Sequence, residues 1–315
     1  MKPDPFAVGE TDQATSPEEK AKAERKDFEA RYGRFGEVVF PTDAQAPILT
    51  VPVRAALQQW LIEMGAAAEL KRVGLKPRQR AILAGPPGCG KTTLAHHIAA
   101  RVGLPMVVVQ SNAIITSALG GSGSNLGKLF REARRDQGKI AIFLDEFDAV
   151  ARKRRGVEQA CDSEMNNIVI ALLQELDRTE TMMFAATNHG GDIDPAIWRR
   201  FQMQIEIGLP GENERFAIVR LYLAPFEAPD ETVHAIADAM DGASPALIRE
   251  CLESIKRALI LAPRLRMPMD LRALLVRFAV SSTPSEEMPT PLLWEDPDTA
   301  LSACDDVPWP PEPRQ

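Results

Sequence analysis

The sequence predicts an α/β protein: a mostly parallel five-stranded sheet flanked by helices, followed by a small all-α domain. Three observations carry this. From about residue 71 to residue 210, short apolar runs alternate with helical patterns, the arrangement of a parallel sheet covered on both faces. A glycine-rich turn, Gly85-Pro86-Pro87-Gly88-Cys89-Gly90-Lys91-Thr92, separates one such run from a helix. Beyond Leu209-Pro210-Gly211 only helical periodicity continues.

Taken in order, residues 1 to about 15 are polar and poor in apolar anchors, a composition that predicts disorder. Ser16-Pro17-Glu18-Glu19 then combines an N-cap serine, proline at the first helical position and acids in the first turn. The helix it starts, through Tyr32, has little apolar stripe beyond Phe28, Ala30 and Tyr32, and reads as a solvated helix or a partner-binding arm. Residues 1–50 are accordingly expected to be a polar, partly disordered arm. Val53, Leu57, Trp60, Leu61, Met64, Ala68 and Leu70 recur at near-helical spacing and predict a helix over 51–71 packed on the sheet domain.

The expected strands are Ala81 to Ala84, Met106 to Gln110, Ile140 to Leu144, Met182 to Ala186 and Gln204 to Ile207, with a helix from Thr93 to Val102. They place the α/β domain at 51–210. Helices over Glu212 to Leu223, Glu231 to Met240, Pro245 to Ala262 and Met269 to Val280 form the α domain, 211–280. The last 35 residues, 281–315, hold eight prolines and eight acids against the single base Arg314, and a disordered tail is expected there. Trp294 and Trp309 in that tail are either anchors for a partner or parts of a free terminus.

At 315 residues, 45% hydrophobic and 26% charged, the composition is that of an ordinary globular protein. No apolar leader opens it and no run is long enough to cross a bilayer, so a cytoplasmic location is expected. Four dispersed cysteines give neither a zinc site nor a disulfide framework. The formal charge of −7 resides in the tail, leaving a neutral body that argues against a dedicated nucleic-acid binder.

The turn fills every fixed position of G-x-x-x-x-G-K-[ST], a pattern that cradles a nucleoside triphosphate. Its glycines let successive backbone N–H groups face a polyphosphate, Lys91 brings a positive charge to the β/γ oxygens, and Thr92 offers a hydroxyl to Mg2+. Thr93 follows at the start of the helix. The run Ile140-Ala141-Ile142-Phe143-Leu144 ends in Asp145-Glu146. A strand that delivers Asp145 at its carboxyl edge puts a carboxylate beside Mg2+, and Glu146 can polarise an attacking water. A further strand ends at Thr187-Asn188, where the amide suits either a water contact or a turn. Arg199-Arg200, after Asp194-Pro195-Ala196-Ile197-Trp198, offers guanidinium donors for a phosphate or is an exposed basic pair.

Together these segments resemble the AAA+ ATPases, in the clade of membrane-protein extractors, microtubule severers and ATP-dependent membrane proteases, over about Leu75 to Ala262. GPPGCGKT is similar to that clade's Walker A motif, FLDEFDAVARKRRG to its Walker B strand and loop, and AATNHGGDIDPAIWRRF to its sensor 1 and second region of homology. The resemblance implies ATP and Mg2+ as cofactors and a homo-oligomeric ring, usually a hexamer, that acts on a protein substrate or effector. It assigns Lys91 and Thr92 to phosphate and Mg2+, Asp145 to Mg2+, Glu146 to catalysis, Asn188 to a polar sensor, and Arg199 and Arg200 to the ATP of the adjacent subunit.

Gly242-Ala243-Ser244-Pro245-Ala246 stands where the clade has G-[FY]-S-G-A, with Arg249 one turn on, within reach of nucleotide or, by default, a surface helix residue. Ala118 occupies the aromatic position of the pore loop Ala118-Leu119-Gly120, so a nucleotide switch that threads nothing is an alternative to a threading ATPase. The basic run Arg152-Lys153-Arg154-Arg155 is all that favours a DNA-engaged loader. A narrower resemblance is to small bacterial AAA+ ATPases encoded beside subtilisin-like serine proteases, some linked to defence. The chain has neither H-E-x-x-H nor G-x-S-x-G, so any proteolysis belongs to a partner.

Overall fold

The computed structural model describes residues 17–114, 121–153, 160–265 and 269–313. The elements begin with α1 (Pro17–Tyr32), β1 (Gly36–Val39), α2 (Val51–Gly65), α3 (Ala67–Arg72), β2 (Arg80–Ala84) and α4 (Lys91–Arg101). β3 (Met106–Val109), α5 (Ser111–Ile114), α6 (Gly121–Arg135), β4 (Ala141–Leu144), α7 (Ala160–Arg178), β5 (Met182–Thr187), α8 (Pro195–Trp198) and β6 (Met203–Glu206) complete the sheet domain. A second, smaller body holds α9 (Glu212–Leu223), β7 (Phe226–Glu227), α10 (Asp230–Ala239), α11 (Pro245–Leu265) and α12 (Leu271–Ser281). After it come α13 (Leu292–Glu295), α14 (Pro297–Ala300) and β8 (Glu312–Pro313).

The sheet has six strands in the order β1-β3-β4-β5-β2-β6, not the expected five. All pairings are parallel except β1 with β3, which is antiparallel with Gly36 opposite Val109. Four residues without alternation give β1 no sequence signal, and its place comes from pairing with an edge. In β4 and β5 every residue is buried. Ile142, Leu144, Met183 and Ala185 feed one core, while Ala141, Phe143, Phe184 and Ala186 feed the other. A period of two with apolar side chains on both faces produces this double burial.

The expected helix over 51–71 is two helices, α2 and α3, with Ala66 between them. Leu57 and Trp60 are its buried pair. Trp60 meets Phe184 edge-on at 5.9 Å, and its ring N–H donates to Arg78 O at 2.7 Å, so its polar atom is satisfied.

Residues 17–50 are not a free arm. Tyr32 is fully buried and its hydroxyl donates to Asp136 Oδ2 at 2.8 Å, while Arg31 pairs with the same carboxylate at 2.5 Å. Burial, reinforced by the Asp136 acceptor, holds the phenol well above its usual range. The end of α1 is thus fixed to the end of α6, while Lys22 to Asp27 stay exposed.

The tail also differs from expectation. Leu293, Ala300, Leu301 and Cys304 are buried in one core with α9–α12. Trp294 donates to Ala279 O and Ser282 O, both at 3.0 Å, and Trp309 donates to Met269 O at 2.5 Å. β8 pairs with β7. The tail's prolines and acids mask an apolar set, Leu292, Leu293, Trp294, Ala300, Leu301 and Trp309, that has no helical or strand period and finds its partner in the α domain. Each of its fully buried large side chains contributes about 1.5–3 kcal/mol.

Cys89, Cys251 and Cys304 are free and buried, and burial pushes the Cys304 thiol up to about 11, so it packs as an apolar group. Among the described residues no helix is long and apolar enough to cross a membrane. Tyr32→Phe leaves Asp136 without one donor and is expected to lower the unfolding free energy by about 1–2 kcal/mol in a denaturant titration. An unchanged midpoint would contradict the anchoring of α1.

Candidate active site

Because β5 lies between β2 and β4, the carboxyl ends of these three parallel strands open on one edge. The turn after β2, the acids after β4 and Asn188 after β5 therefore converge without any long-range search by the side chains. A cleft of 380 Å³ results. Its sheet-side wall is Pro87, Gly88, Gly90, Lys91, Thr92 and Thr93, then Asp145, Glu146 and Asn188. Tyr222 from α9, with Pro245, Ala246 and Arg249 from α11, forms the opposite wall.

The loop's backbone needs its glycines. Gly85 has φ +151°, and a Cβ there would lie 2.0 Å from Ile207 O. Gly88 has φ +75°, and a Cβ would meet Ala246 Cβ at 2.9 Å and Ser244 Oγ at 3.0 Å. Ala246 N donates to Gly88 O at 3.1 Å, so the α domain closes directly on the loop. α4 begins at Lys91, and its first turn presents unpaired N–H groups to the cleft, the usual arrangement for an anion.

Lys91 is buried, and its ammonium donates to Gly85 O at 2.8 Å, Pro86 O at 2.9 Å and Asn188 Oδ1 at 2.7 Å. Burial holds it below the usual lysine range, partly opposed by Cys89, Asp145 and Asp148. Gly85 and Pro86 face a second, 610 Å³ cavity behind the loop. Cys89 turns into the sheet core rather than the cleft.

Asp145 Oδ1 accepts from Glu146 N at 2.9 Å. Glu146, at φ +48°, is the single non-glycine residue with positive φ among the described residues. An L-residue stays there only where its surroundings over-determine it. Ser111 provides that constraint: its hydroxyl lies 2.9 Å from both Asp145 O and Glu146 O. Asp148 accepts from Thr187 Oγ1 at 3.0 Å, which ties the acidic turn to the end of β5. Sequence reasoning missed Ser111 and Asp148. The available signal for Ser111 was its place at the end of the strand that neighbours the acidic one. Arg249 is exposed, as expected of a surface helix residue, and it also lines the cleft, where it could reach nucleotide; Tyr222 joins it unforeseen.

Arg199 and Arg200 are not brought into the cleft. Arg200 is paired with Asp177 at 3.1 Å and donates to Ala196 O at 2.9 Å. The side chain of Arg199 is exposed and makes no ion pair or hydrogen bond among the described residues. Ala118, Leu119, Gly120, Arg154 and Arg155 lie outside the described residues. Among those described, no group of three or more His, Cys, Asp or Glu side chains could hold a metal by itself. The hydroxyl of Thr92 and the carboxylates of Asp145 and Glu146 in one cleft are hard oxygen donors, a set that suits Mg2+ shared with phosphate and water.

An open, mostly parallel sheet with a glycine-rich phosphate cradle and an acidic strand end defines the P-loop nucleoside triphosphatases. More narrowly, the model of the ATPase family associated with various cellular activities (AAA) matches residues 81–209, and the chain carries a domain of that family. It is 34% identical over 192 residues to a probable 26S proteasome regulatory subunit 10B of Caenorhabditis elegans, covering 58% of this chain and 47% of that protein. It is 31% identical over 216 residues to a proteasome-activating nucleotidase of Thermococcus gammatolerans, covering 64% and 54%. With an uncharacterized AAA family ATPase of Sinorhizobium fredii the identity is 35% over 201 residues, covering 63% and 59%. The chain thus spans about half the length of the curated relatives it matches.

Gly85→Ala combines a steric clash with an unfavourable φ and is expected to cost about 2–3 kcal/mol or more. Chemical denaturation checks this, and a loss below about 0.5 kcal/mol would mean that the loop can withdraw from Ile207.

Proposed function

We propose that this chain is a Mg2+-dependent ATPase that works as a cytoplasmic homo-oligomeric ring, hexameric as in the family it resembles, and uses ATP to remodel or control a protein partner. The observation that carries the reading is one cleft holding Lys91, Thr92, Asp145, Glu146 and Asn188 together. Lys91, the loop N–H groups and the start of α4 would bind the phosphates, leaving the lysine's burial compensated by anionic oxygens. Thr92 and Asp145 would hold Mg2+, which neutralises phosphate charge when bound. Glu146 takes a proton from the water that attacks the γ-phosphate, and Asn188, now held by Lys91, orients that water or a γ oxygen. Arg249 offers a second cation from the α domain, weakly engaged with Glu253 at 3.9 Å.

The ring is supported by Arg199. An exposed guanidinium without a partner, away from its own chain's cleft, suits ATP held by a neighbour. Arg200, already bound to Asp177, is the poorer candidate for that reach. Action on protein is supported by the proteasomal names of two relatives, and a separately encoded subtilisin-like protease is one partner that the narrower sequence resemblance suggests.

Glu146→Gln is expected to lower ATP turnover by about 10²–10⁴-fold while ATP binding persists. Turnover near wild type in that variant would remove the assignment. Arg199→Ala should reduce turnover by about 10³-fold or more without loss of ATP binding, and Arg200→Ala should do so less. Equal turnover of Arg199→Ala and wild type across protein concentrations would argue against a site completed by a neighbour.

A further inference from the structure

The tail docks on one particular place. Pro291 Cα stands 3.4 Å from where a Cβ on Gly242 would lie, and Leu292 N donates to Asp241 O at 2.9 Å. These are the first residues of the turn that continues through Ser244 to Ala246, and the far side of that turn is in contact with Gly88 of the phosphate loop. Asp241 is also gripped from the other side, by Arg215 at 2.7 Å, whose own guanidinium is buried and donates to Ala237 O and Pro210 O. The turn is therefore clamped between the tail, α9 and the loop.

The tail's hold is strong. Leu293 is 1% exposed, and Trp294 packs edge-on against Phe278 at 5.8 Å with both of its acceptors on the end of α12. Upstream, Glu287 reaches the 610 Å³ cavity behind the loop, which Gly85, Pro86 and Asn188 also line. The same segment thus borders the phosphate loop from behind and backs the turn that covers it from the front.

We propose that residues 287–294 are a positioning strap for the nucleotide cleft: by backing Asp241 and Gly242 they set the turn that seats α11 on Gly88, and with it the wall formed by Ala246 and Arg249. The segment touches no reacting atom and acts through that turn. It favours the closed arrangement of the α domain, so its contacts appear as nucleotide affinity and not as the rate of the chemical step. This inference rests on the nucleotide-binding reading above.

The test uses the full chain and a fluorescent methylanthraniloyl ATP with Mg2+. Leu292→Pro removes the N–H that bonds Asp241, at the first position of α13, where proline is tolerated and the preceding Pro291 already has extended backbone. Trp309→Phe removes a tail hydrogen bond at Met269, remote from the turn. Leu292→Pro is expected to weaken nucleotide binding about 5-fold, with KM raised in step and kcat at saturation within about 2-fold of wild type. Trp309→Phe should bind within about 2-fold of wild type at a comparable loss of melting temperature. If Leu292→Pro does not fold, Trp294→Phe, which keeps an aromatic ring against Phe278 but loses the indole N–H and both its hydrogen bonds, carries the same expectation. Wild-type affinity in the folded variant overturns the strap, as does weakening of both variants in proportion to lost stability. Failure of the wild-type chain to bind the nucleotide would instead bring down the nucleotide-binding reading itself.

Discussion

The ammonium of Lys91, set among Gly85 O, Pro86 O and Asn188 Oδ1, is the contact on which the rest of the cleft depends. A buried, unpaired charge costs several kcal/mol, so the three oxygens must stay where they are for the lysine to remain inside. Two of them belong to the loop after β2 and one to the residue after β5. The bond therefore fixes the loop against the neighbouring strand end. Everything else at the edge is referred to this pair: the acidic turn hangs from Ser111 and from Thr187 through Asp148, and the α domain rests on Gly88.

The energy of this arrangement lies mostly elsewhere. Strands β4 and β5 are buried along their whole length, and the two cores they feed hold the three strand ends rigid. A left-handed Glu146 is sustainable only on such a base, because its strain is repaid by packing around Phe147, which is fully buried and meets Phe201 at 5.5 Å. The acidic turn and the segment that follows Arg199 and Arg200 thereby share an aromatic contact.

Much of this was legible in the residues. The five parallel strands and the four α-domain helices follow from apolar runs, capping residues and period, and the loop follows from a pattern whose chemistry has few alternatives. What was not legible depended on contacts distant in the chain. β1 is four residues long and is defined by Val107 and Val109 across the sheet. The tail lacks period and carries acids, so its composition imitates disorder although its apolar side chains match a surface made by other helices. Ser111 acts through two backbone carbonyls, which no pattern of side chains encodes. Arg200 looked equivalent to Arg199 until Asp177, on a different helix, separated them.

Gly85 has one more implication. The back of the phosphate loop lies against Ile207 O, and Ile207 N is bonded to Ala84 O at 2.8 Å, so loop and strand β6 move together or not at all. Strand β6 begins just after the exposed Arg199. A displacement at the start of β6 is thus carried to the back of the phosphate loop along a single short strand, with no hinge between them.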